Sequence, residues 1–341
     1  MADKYKGKKP PKYAEPKALA QNTALHSTPA ASEASYDDVK KEHRFYFNIV
    51  KRRYIWFALS LVLIIAGIIS LFVQGLNLGI DFTGGSMFTI QFNEQVTQSN
   101  VQKAVDSLGI DGTVQLSNGD KTALIRTETL DPDKRDALLT AIEKQAGAFD
   151  RQALQENLVA AAIGTELQQD ALKALGVAAV LILLYVSFRF RFLYAVSAVI
   201  ALLHDIVITV GIVSLFQLQV DATFIAAILT VFGYSINDTV VIYDRIRENE
   251  KRMKKRDSFE DMVDKSVWQT MGRSLKTVGT VLIALLAINI LGGDSTKVFA
   301  FVMLIGVFFG CYSSIFVASQ LVVEIKKRTS KEIKKESPSE A

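Results

Sequence analysis

Long apolar segments alternate with short polar segments along most of the chain. Six of them approach the length of about 20 residues that a helix needs to cross a hydrocarbon core of about 30 Å. These segments are Tyr54–Val73, Leu172–Phe188, Phe192–Phe216, Ala222–Tyr243, Leu275–Leu291 and Val298–Val323. The pattern predicts a polytopic α-helical membrane protein with six transmembrane helices.

The residues between the first two apolar segments alternate between apolar and polar positions instead. Residues 79–92 predict a strand after a glycine turn, and Asn118-Gly119 between two apolar runs predicts a β-hairpin. Apolar positions at helical spacing predict helices over Ser99–Leu108 and Asp133–Gln145. We therefore expect one small α+β domain here, with a ferredoxin-like fold.

The positions of the basic residues predict how these segments are oriented in the membrane. Basic residues cluster before the first segment, between the second and third, between the fourth and fifth, and after the sixth, which places those ends and both termini in the cytosol. The α+β region holds 14 acidic and 7 basic residues, a net charge of −7, and is expected outside the cytosol. The predicted order is a disordered cytoplasmic tail (1–44), transmembrane helix 1 (45–76), an extracytoplasmic domain (77–170), a five-helix bundle (171–325) with a cytoplasmic segment (244–273), and a cytoplasmic C-terminal tail (326–341).

Composition excludes several classes of protein. The 341 residues are 50% hydrophobic and 22% charged, and the apolar residues are concentrated in the six segments, so a soluble enzyme or a disordered protein is excluded. Cys311 is the single cysteine, so no intrachain disulfide is possible. The sequence holds no P-loop spacing and no histidine cluster, so we expect no enzymatic activity, no cofactor, no metal and no nucleic-acid partner. Amphipathic spacing over 250–270 predicts a helix lying on the inner membrane face.

Ionisable groups inside the apolar segments are the candidate functional residues, because charges in a bilayer are costly. His204 and Asp205 lie in the third segment, with Asp205 about 13 residues, or roughly 20 Å, from its start. Asp238 lies about six residues, or roughly 9 Å, from the cytosolic edge of the fourth segment, next to Asn237. Arg273 begins the fifth segment at the same edge.

This arrangement predicts an Asp238–Arg273 pair. Tyr234 and Ser235 lie one helical turn from Asp238 and could donate hydrogen bonds to it. An arginine that moves toward or away from a carboxylate changes its proton affinity, so the pair could couple a conformational change to a proton gradient. The alternative is a buried polar cluster that only holds the helices together.

Glycines mark two further sites. Gly306 and Gly310 form a GxxxG pattern in the sixth segment, which predicts close helix packing. Gly79, Gly84 and Gly85 surround Asp81 at the start of the α+β domain and predict a turn.

Four stretches resemble the SecF family of protein-export membrane proteins. They are LGIDFTGGS (78–86), ALLHD (201–205), GYSINDTVVIYDRIREN (233–249) and RSLKT (273–277). The order of one helix, one exported domain and five helices is also similar, and the resemblance covers about residues 45–328. The sequence departs from the family pattern at Ala162, where a proline is usual.

The resemblance implies one half of an RND-type transporter in the cytoplasmic (inner) membrane. The implied partners are SecD and the SecYEG channel, with YajC and YidC as further candidates and an unfolded preprotein as cargo. Asp238 matches the intramembrane carboxylate of the family, Arg273 its basic partner, and His204 with Asp205 a usual pair. Proton flow would then assist the late translocation or release of proteins.

Three other functions remain open at this stage. An RND exporter of small hydrophobic molecules would need larger exported domains. An intramembrane aspartyl protease would use Asp205 and Asp238 as a dyad, but the protease motifs are not present and the depth estimates separate the two residues by roughly 10 Å. A structural subunit without proton flow would keep its function after Asp238→Asn.

Overall fold

The apolar segments form long helices in the structure, a computed structural model that describes residues 46–253 and 257–336. The predicted tail 1–44, Lys254–Arg256 and residues 337–341 lie outside the described residues. All elements below belong to one compact unit that begins at Phe47. The helices are α1 (Arg53–Gln74), α2 (Ile80–Thr83), α3 (Gln98–Asp106), α4 (Pro132–Gln145), α5 (Ala161–Arg189), α6 (Phe192–Leu215), α7 (Ala222–Arg252), α8 (Phe259–Leu291), α9 (Asp294–Ser313), a π-helical turn (Ser314–Ala318) and α10 (Ser319–Glu336). The strands are β1 (Asn77–Leu78), β2 (Gly85–Gln91), β3 (Gly112–Ser117), β4 (Thr122–Thr127), β5 (Gln155–Val159) and β6 (Gln219–Val220).

Six helical stretches within the described residues are long and apolar enough to cross a membrane, as predicted. About half of the apolar window is buried in α6 (56%), in α7 (50%) and in the continuous α9–α10 stretch (61%). The corresponding share is 17% in α1, 6% in α5 and 11% in α8. The first three therefore form the centre of the bundle, and the other three lie at its periphery.

Glycines bring the central helices close together. A Cβ atom at Gly306 of α9 would collide with Val231 of α7, and one at Gly310 would lie 3.0 Å from Ser235 Cβ. A Cβ at Gly67 of α1 would lie 3.0 Å from the α-carbon of Gly211 in α6. Larger side chains at these positions would push the helices apart.

The α+β region forms a four-stranded antiparallel sheet in the order β3-β4-β2-β5. The element order β-α-β-β-α-β is that of a split βαβ motif, which is consistent with the predicted ferredoxin-like fold. The predicted hairpin is confirmed, because β3 and β4 pair in antiparallel and are joined by residues 118–121, with positive φ at Asn118 (54°), Gly119 (64°) and Asp120 (63°). The two predicted helices are confirmed as α3 and α4. Both pack on the sheet and share one apolar core with it, including Phe88, Ile125 and Leu138.

Three local predictions differ from the structure. The strand predicted over 79–92 is interrupted, because α2 precedes β2 and the two are separated at Gly84 (φ 72°). The separate helix predicted over 250–270 is divided between two longer helices, since α7 continues to Arg252 and α8 runs as one helix from Phe259 to Leu291. Its location at the inner membrane face stays a prediction. One residue separates the end of β5 from helix α5, which begins at Ala161. The last part of the predicted 77–170 domain is therefore helical.

Packing against the chain before α1 explains the continuous α8 helix. The Trp268 indole donates a hydrogen bond to the Phe47 carbonyl (3.1 Å), and the Asp264 carboxylate accepts one from the Ile49 amide (2.8 Å). Arg53, which is 5% exposed, contacts Glu260 and Glu324 at 3.3 Å each. These contacts pack the first turns of α8 against the residues that lead into α1.

Candidate functional site

Asp238 lies in the middle of α7 and is only 7% exposed. Its Oδ1 atom accepts a hydrogen bond from Ser274 Oγ of α8 at 2.5 Å. Its Oδ2 atom is buried and has no hydrogen-bond partner among the described residues. A buried polar oxygen without a partner is costly, so this oxygen is a place where a proton could bind.

The other side chains predicted near Asp238 do not contact it in the structure. Arg273 is exposed and makes no ion pair within 4.0 Å among residues 46–253 and 257–336, although its charge still acts on Asp238. The predicted Asp238–Arg273 contact is therefore not formed in this structure. Tyr234 is 42% exposed and Asn237 is exposed, and neither makes a hydrogen bond to Asp238 in the described part of the chain. Tyr234 and Asn237 are three residues apart, so they share one side of α7, and that side is exposed.

Asp205 is the centre of a second buried cluster and is 0% exposed. Its Oδ2 atom accepts hydrogen bonds from Ser235 Oγ (2.6 Å) and Ser313 Oγ (2.7 Å). Its Oδ1 atom lies 2.9 Å from His204 Nδ1. The sequence predicts Ser235 as a possible hydrogen-bond donor to Asp238, but in the structure Ser235 donates to Asp205 instead.

His204 extends this cluster toward α1. Its Nε2 atom lies 2.9 Å from Ser60 Oγ, and Ser60 Oγ lies 3.2 Å from the Tyr312 hydroxyl. The Tyr312 hydroxyl donates to the Trp56 carbonyl at 3.0 Å. A continuous chain of polar atoms therefore connects α6, α1 and α9 inside the bundle.

The first residue of the π-helical turn contacts α7 beside residues of both buried clusters. Ser314, its first residue, has its hydroxyl 2.7 Å from Thr239 Oγ1 and donates to the Ser235 carbonyl at 3.3 Å. Thr239 follows Asp238 directly, while Ser235 binds Asp205. Asp205 and Asp238 share no hydrogen bond among the described residues, which opposes the protease dyad.

Sequence reasoning missed six hydroxyl groups in this region: those of Ser60, Thr239, Ser274, Tyr312, Ser313 and Ser314. Serine is common in membrane helices, and its spacing alone does not reveal which helix it faces. The one available signal was that Ser313 and Ser314 are adjacent serines inside the sixth apolar segment, shortly after Gly310. A π-helical turn is often found at a functional site, but its position is not readable from periodicity.

The glycine turn at the start of the α+β domain contacts the beginning of α7. Strand β1 pairs in parallel with β6, and the Gly79 amide donates to the Val220 carbonyl at 2.7 Å. Asp81 Oδ2 accepts a hydrogen bond from the Ala222 amide (2.9 Å), the first residue of α7. A carboxylate at a helix N-terminus is favourable because it meets free amides and the positive end of the helix dipole.

Gly84 and Gly85 allow the chain to turn into the sheet. Both have positive φ angles, 72° and 117°, which side chains disfavour. A Cβ atom at Gly84 would lie 2.6 Å from Ala161 Cα at the start of α5, and one at Gly85 would collide with the Thr127 carbonyl oxygen. The turn is thus packed between the sheet and α5.

Arg126 of β4 connects the α+β domain to strands β1 and β6, beside the glycine turn. Its Nη1 atom donates to Asn77 Oδ1 (2.9 Å), and its Nη2 atom donates to Gln219 Oε1 (2.9 Å) and Gln115 Oε1 (3.0 Å). Burial lowers the pKa of the Arg126 guanidinium, and the charge of Asp221 opposes that change. Because an arginine starts from a very high pKa, it remains a cation. We call Asn77, Asp81, Arg126 and Gln219 the outer joint.

Two family profiles match these features. The profile described as Protein export membrane protein SecD/SecF, C-terminal, matches residues 139–328, and the profile described as SecD/SecF GG Motif matches residues 69–96. Protein translocase subunit SecF of Sebaldella termitidis is 40% identical over 286 residues, which cover 82% of this chain and 92% of the relative. The chain belongs to the SecF family of protein translocase subunits. The GG motif of this SecF family member includes the glycine turn, and its C-terminal profile includes both buried aspartates.

Larger relatives contain the SecF region as one part. Protein translocase subunit SecDF of Bacillus subtilis is 38% identical over 84% of this chain, but the match covers 38% of that protein. A crystal structure of SecDF from Thermus thermophilus, described as a translocon-associated membrane protein, matches with a TM-score of 0.75 and 34% identity. It covers 82% of this chain, which spans about two fifths (39%) of that structure.

Proposed function

We propose that this chain is the SecF half of a SecD–SecF transporter and that Asp238 carries protons whose flow drives late protein translocation. The observation that carries the proposal is the buried Asp238 carboxyl, which has one oxygen bound by Ser274 and one oxygen without a described partner. A bilayer carboxyl of this kind is a candidate proton carrier by default. Arg273 then acts on it through space rather than by contact.

The exposed side of α7 supports a partner half. Gly233, Tyr234 and Asn237 are exposed on a helix that is otherwise central in the bundle. An amide such as that of Asn237 is unfavourable against lipid, whereas small and polar residues favour helix contacts. SecD is the partner we propose for this face, because larger relatives carry both names in one chain.

The outer joint supports a mechanical role for the α+β domain. Asp81 and Gln219 bring this domain to the first residue of α7, and Asp238 lies further along the same helix. A shift of α7 that accompanies proton binding would therefore move the domain. We propose the SecYEG channel as the neighbouring complex, YajC and YidC as further partners, and an unfolded preprotein as what the domain contacts.

The proposal includes a location in the cytoplasmic (inner) membrane with both termini in the cytosol, on the basis of the basic flanks. The α+β domain then lies outside. The chain acts in transport, and Asp238 exchanges protons without forming or breaking bonds in a substrate.

The test is gradient-driven release of an exported protein from inverted membrane vesicles that contain the complex with SecD. We expect Asp238→Asn to abolish the gradient-dependent part, because the amide cannot exchange a proton, and Arg273→Met to reduce it strongly. Asp170→Asn is the matched control, since it makes the same chemical change at an exposed carboxylate that pairs with Lys173 (2.8 Å). Co-purification with SecD must be equal in all variants.

Unchanged release in Asp238→Asn at equal complex abundance would contradict the proton role. The chain would then be a structural subunit that stabilises the complex. Loss of SecD co-purification in Asp238→Asn alone would assign the carboxyl to assembly instead.

A further inference from the structure

A basic cavity lies where α5 ends and α6 begins, beside the last turns of α7. Its volume is about 620 Å³, within the usual range of ligand pockets. It is lined by Arg189, Phe190, Arg191, Arg247, Glu250 and Lys251. The proton site does not use any of these residues: three belong to the turn between α5 and α6, and three lie on α7 beyond Asp238. We propose that this cavity binds the phosphate headgroup of an anionic phospholipid.

Charge is the first reason. Four basic side chains and one acidic side chain line the cavity, a formal sum of +3. The one acid is already engaged, since Glu250 lies 2.7 Å from Lys326 Nζ and accepts a hydrogen bond from the Tyr194 hydroxyl at 3.2 Å. Arg189 pairs with Asp244 (2.8 Å) and Arg191 lies 3.9 Å from Glu250, so among the described residues Arg247 and Lys251 are the lining cations without an ion pair, and they supply the surplus positive charge.

The geometry of the arginines is the second reason. Arg189 is fixed by two contacts to Asp244 (2.8 and 3.0 Å) and lies over the Phe190 ring at 5.0 Å. Arg247 donates to the Arg189 carbonyl at 3.3 Å, which holds it beside the turn. Fixed guanidinium groups present several donors to phosphate oxygens without a large loss of side-chain freedom.

The position of the cavity at the end of the spanning helices is the third reason. Phe188 of α5 is 95% exposed and Phe192 of α6 is 78% exposed, on either side of the basic turn. Exposed aromatic side chains at this level would contact lipid chains while the cavity holds the headgroup. Basic pockets between membrane helices are known to suit anionic lipid headgroups.

Retention of lipid by the purified full chain tests the proposal. The protein is extracted in mild detergent, mixed with phosphatidylglycerol or phosphatidylcholine, and examined by native mass spectrometry for bound lipid. We expect tight binding of one phosphatidylglycerol and weak binding of phosphatidylcholine. The double variant Arg191→Gln/Lys251→Gln should lower phosphatidylglycerol affinity by roughly tenfold or more, because each basic residue near the headgroup contributes separately.

The control variant is Lys51→Gln/Arg52→Gln. It removes the same two charges from the basic flank of α1, where both side chains are exposed and neither lines the cavity. A third variant, Arg191→Lys/Lys251→Arg, keeps the charge and should retain the lipid. Together with thermal unfolding of all the proteins, this variant shows whether a loss of lipid results from the lost charge or from misfolding.

Several outcomes would overturn the proposal. Equal loss of lipid in the control variant would show a general surface attraction instead of a site. Displacement of the lipid by millimolar inorganic phosphate would assign the cavity to a free anion. Normal lipid retention together with loss of SecD co-purification in Arg191→Gln/Lys251→Gln would assign this surface to a protein contact.

Discussion

Replacing Arg126 by methionine should loosen the outer joint while leaving the α+β domain folded. Methionine keeps much of the side-chain volume, so the packing of this residue, which is 8% exposed, is largely preserved. What is lost is the pair of hydrogen bonds to Asn77 and Gln219, each 2.9 Å long. The third bond, to Gln115 (3.0 Å), lies within the domain itself.

The expected loss of stabilising free energy follows from the two hydrogen bonds that cross the outer joint. A hydrogen bond that involves a charged group contributes about 1.5–3 kcal/mol. Asn77 and Gln219 are only partly buried and can bind water after the change, so we take about 2–4 kcal/mol for the pair. The Gly79 amide, which donates to the Val220 carbonyl at 2.7 Å, reports on this joint directly. Its protection from hydrogen exchange should fall by roughly 30- to 1,000-fold.

Hydrogen exchange of the full chain, resolved by peptide, measures this change. Arg135→Gln is the matched control, because Arg135 belongs to the same domain but forms an exposed ion pair with Glu156 (2.7 Å). That pair raises the pKa of Arg135 without linking it to the joint. Unchanged protection at Gly79 in Arg126→Met would refute the reasoning. Equal loss of protection in the core of β4 would also refute it, since the domain itself would then be unfolding.

Two further variants test the packing and polar groups of the central bundle, each by thermal unfolding in detergent. Gly306→Ala should destabilise the fold by about 1–3 kcal/mol, because its Cβ collides with α7, whereas Gly279→Ala, which has open space, should be neutral or stabilising. Equal shifts in both would argue against tight packing at Gly306. Ser313→Ala should cost about 1–3 kcal/mol, since Asp205 loses a buried donor at 2.7 Å. Thr280→Ala, an exposed hydroxyl on α8, should change little, and a similar loss there would show that the Ser313 effect is not specific.

Local patterns in the sequence predicted most of the fold. The six spanning helices follow from uninterrupted apolar length, and the hairpin from Asn118-Gly119, where left-handed backbone is required. The errors arose where distant residues decide the local structure. The first turns of α8 look like a separate helix in the sequence, but they continue into the fifth spanning helix, and Trp268 and Asp264 bind the chain before α1.

The candidate site was predictable only in part. An aspartate inside an apolar segment stands out because its burial is costly, so Asp205 and Asp238 were identified from sequence alone. The hydrogen-bond partners of these two carboxyl groups were not identified from the sequence. Tyr234 and Ser235 are near Asp238 in sequence, yet one is exposed and the other donates to Asp205.

By itself, the amino-acid sequence determined which segments cross the membrane, which residues turn the chain, and which two carboxyl groups lie within the apolar helices. These features depend on length, charge and backbone preference over a few residues. Tertiary structure alone decided that Ser274, 36 residues from Asp238, and Ser313, 108 residues from Asp205, supply their donors. It also decided that Arg126 binds Gln219, 93 residues away. Such contacts depend on how helices and sheet pack together, and no local preference of the chain specifies that packing.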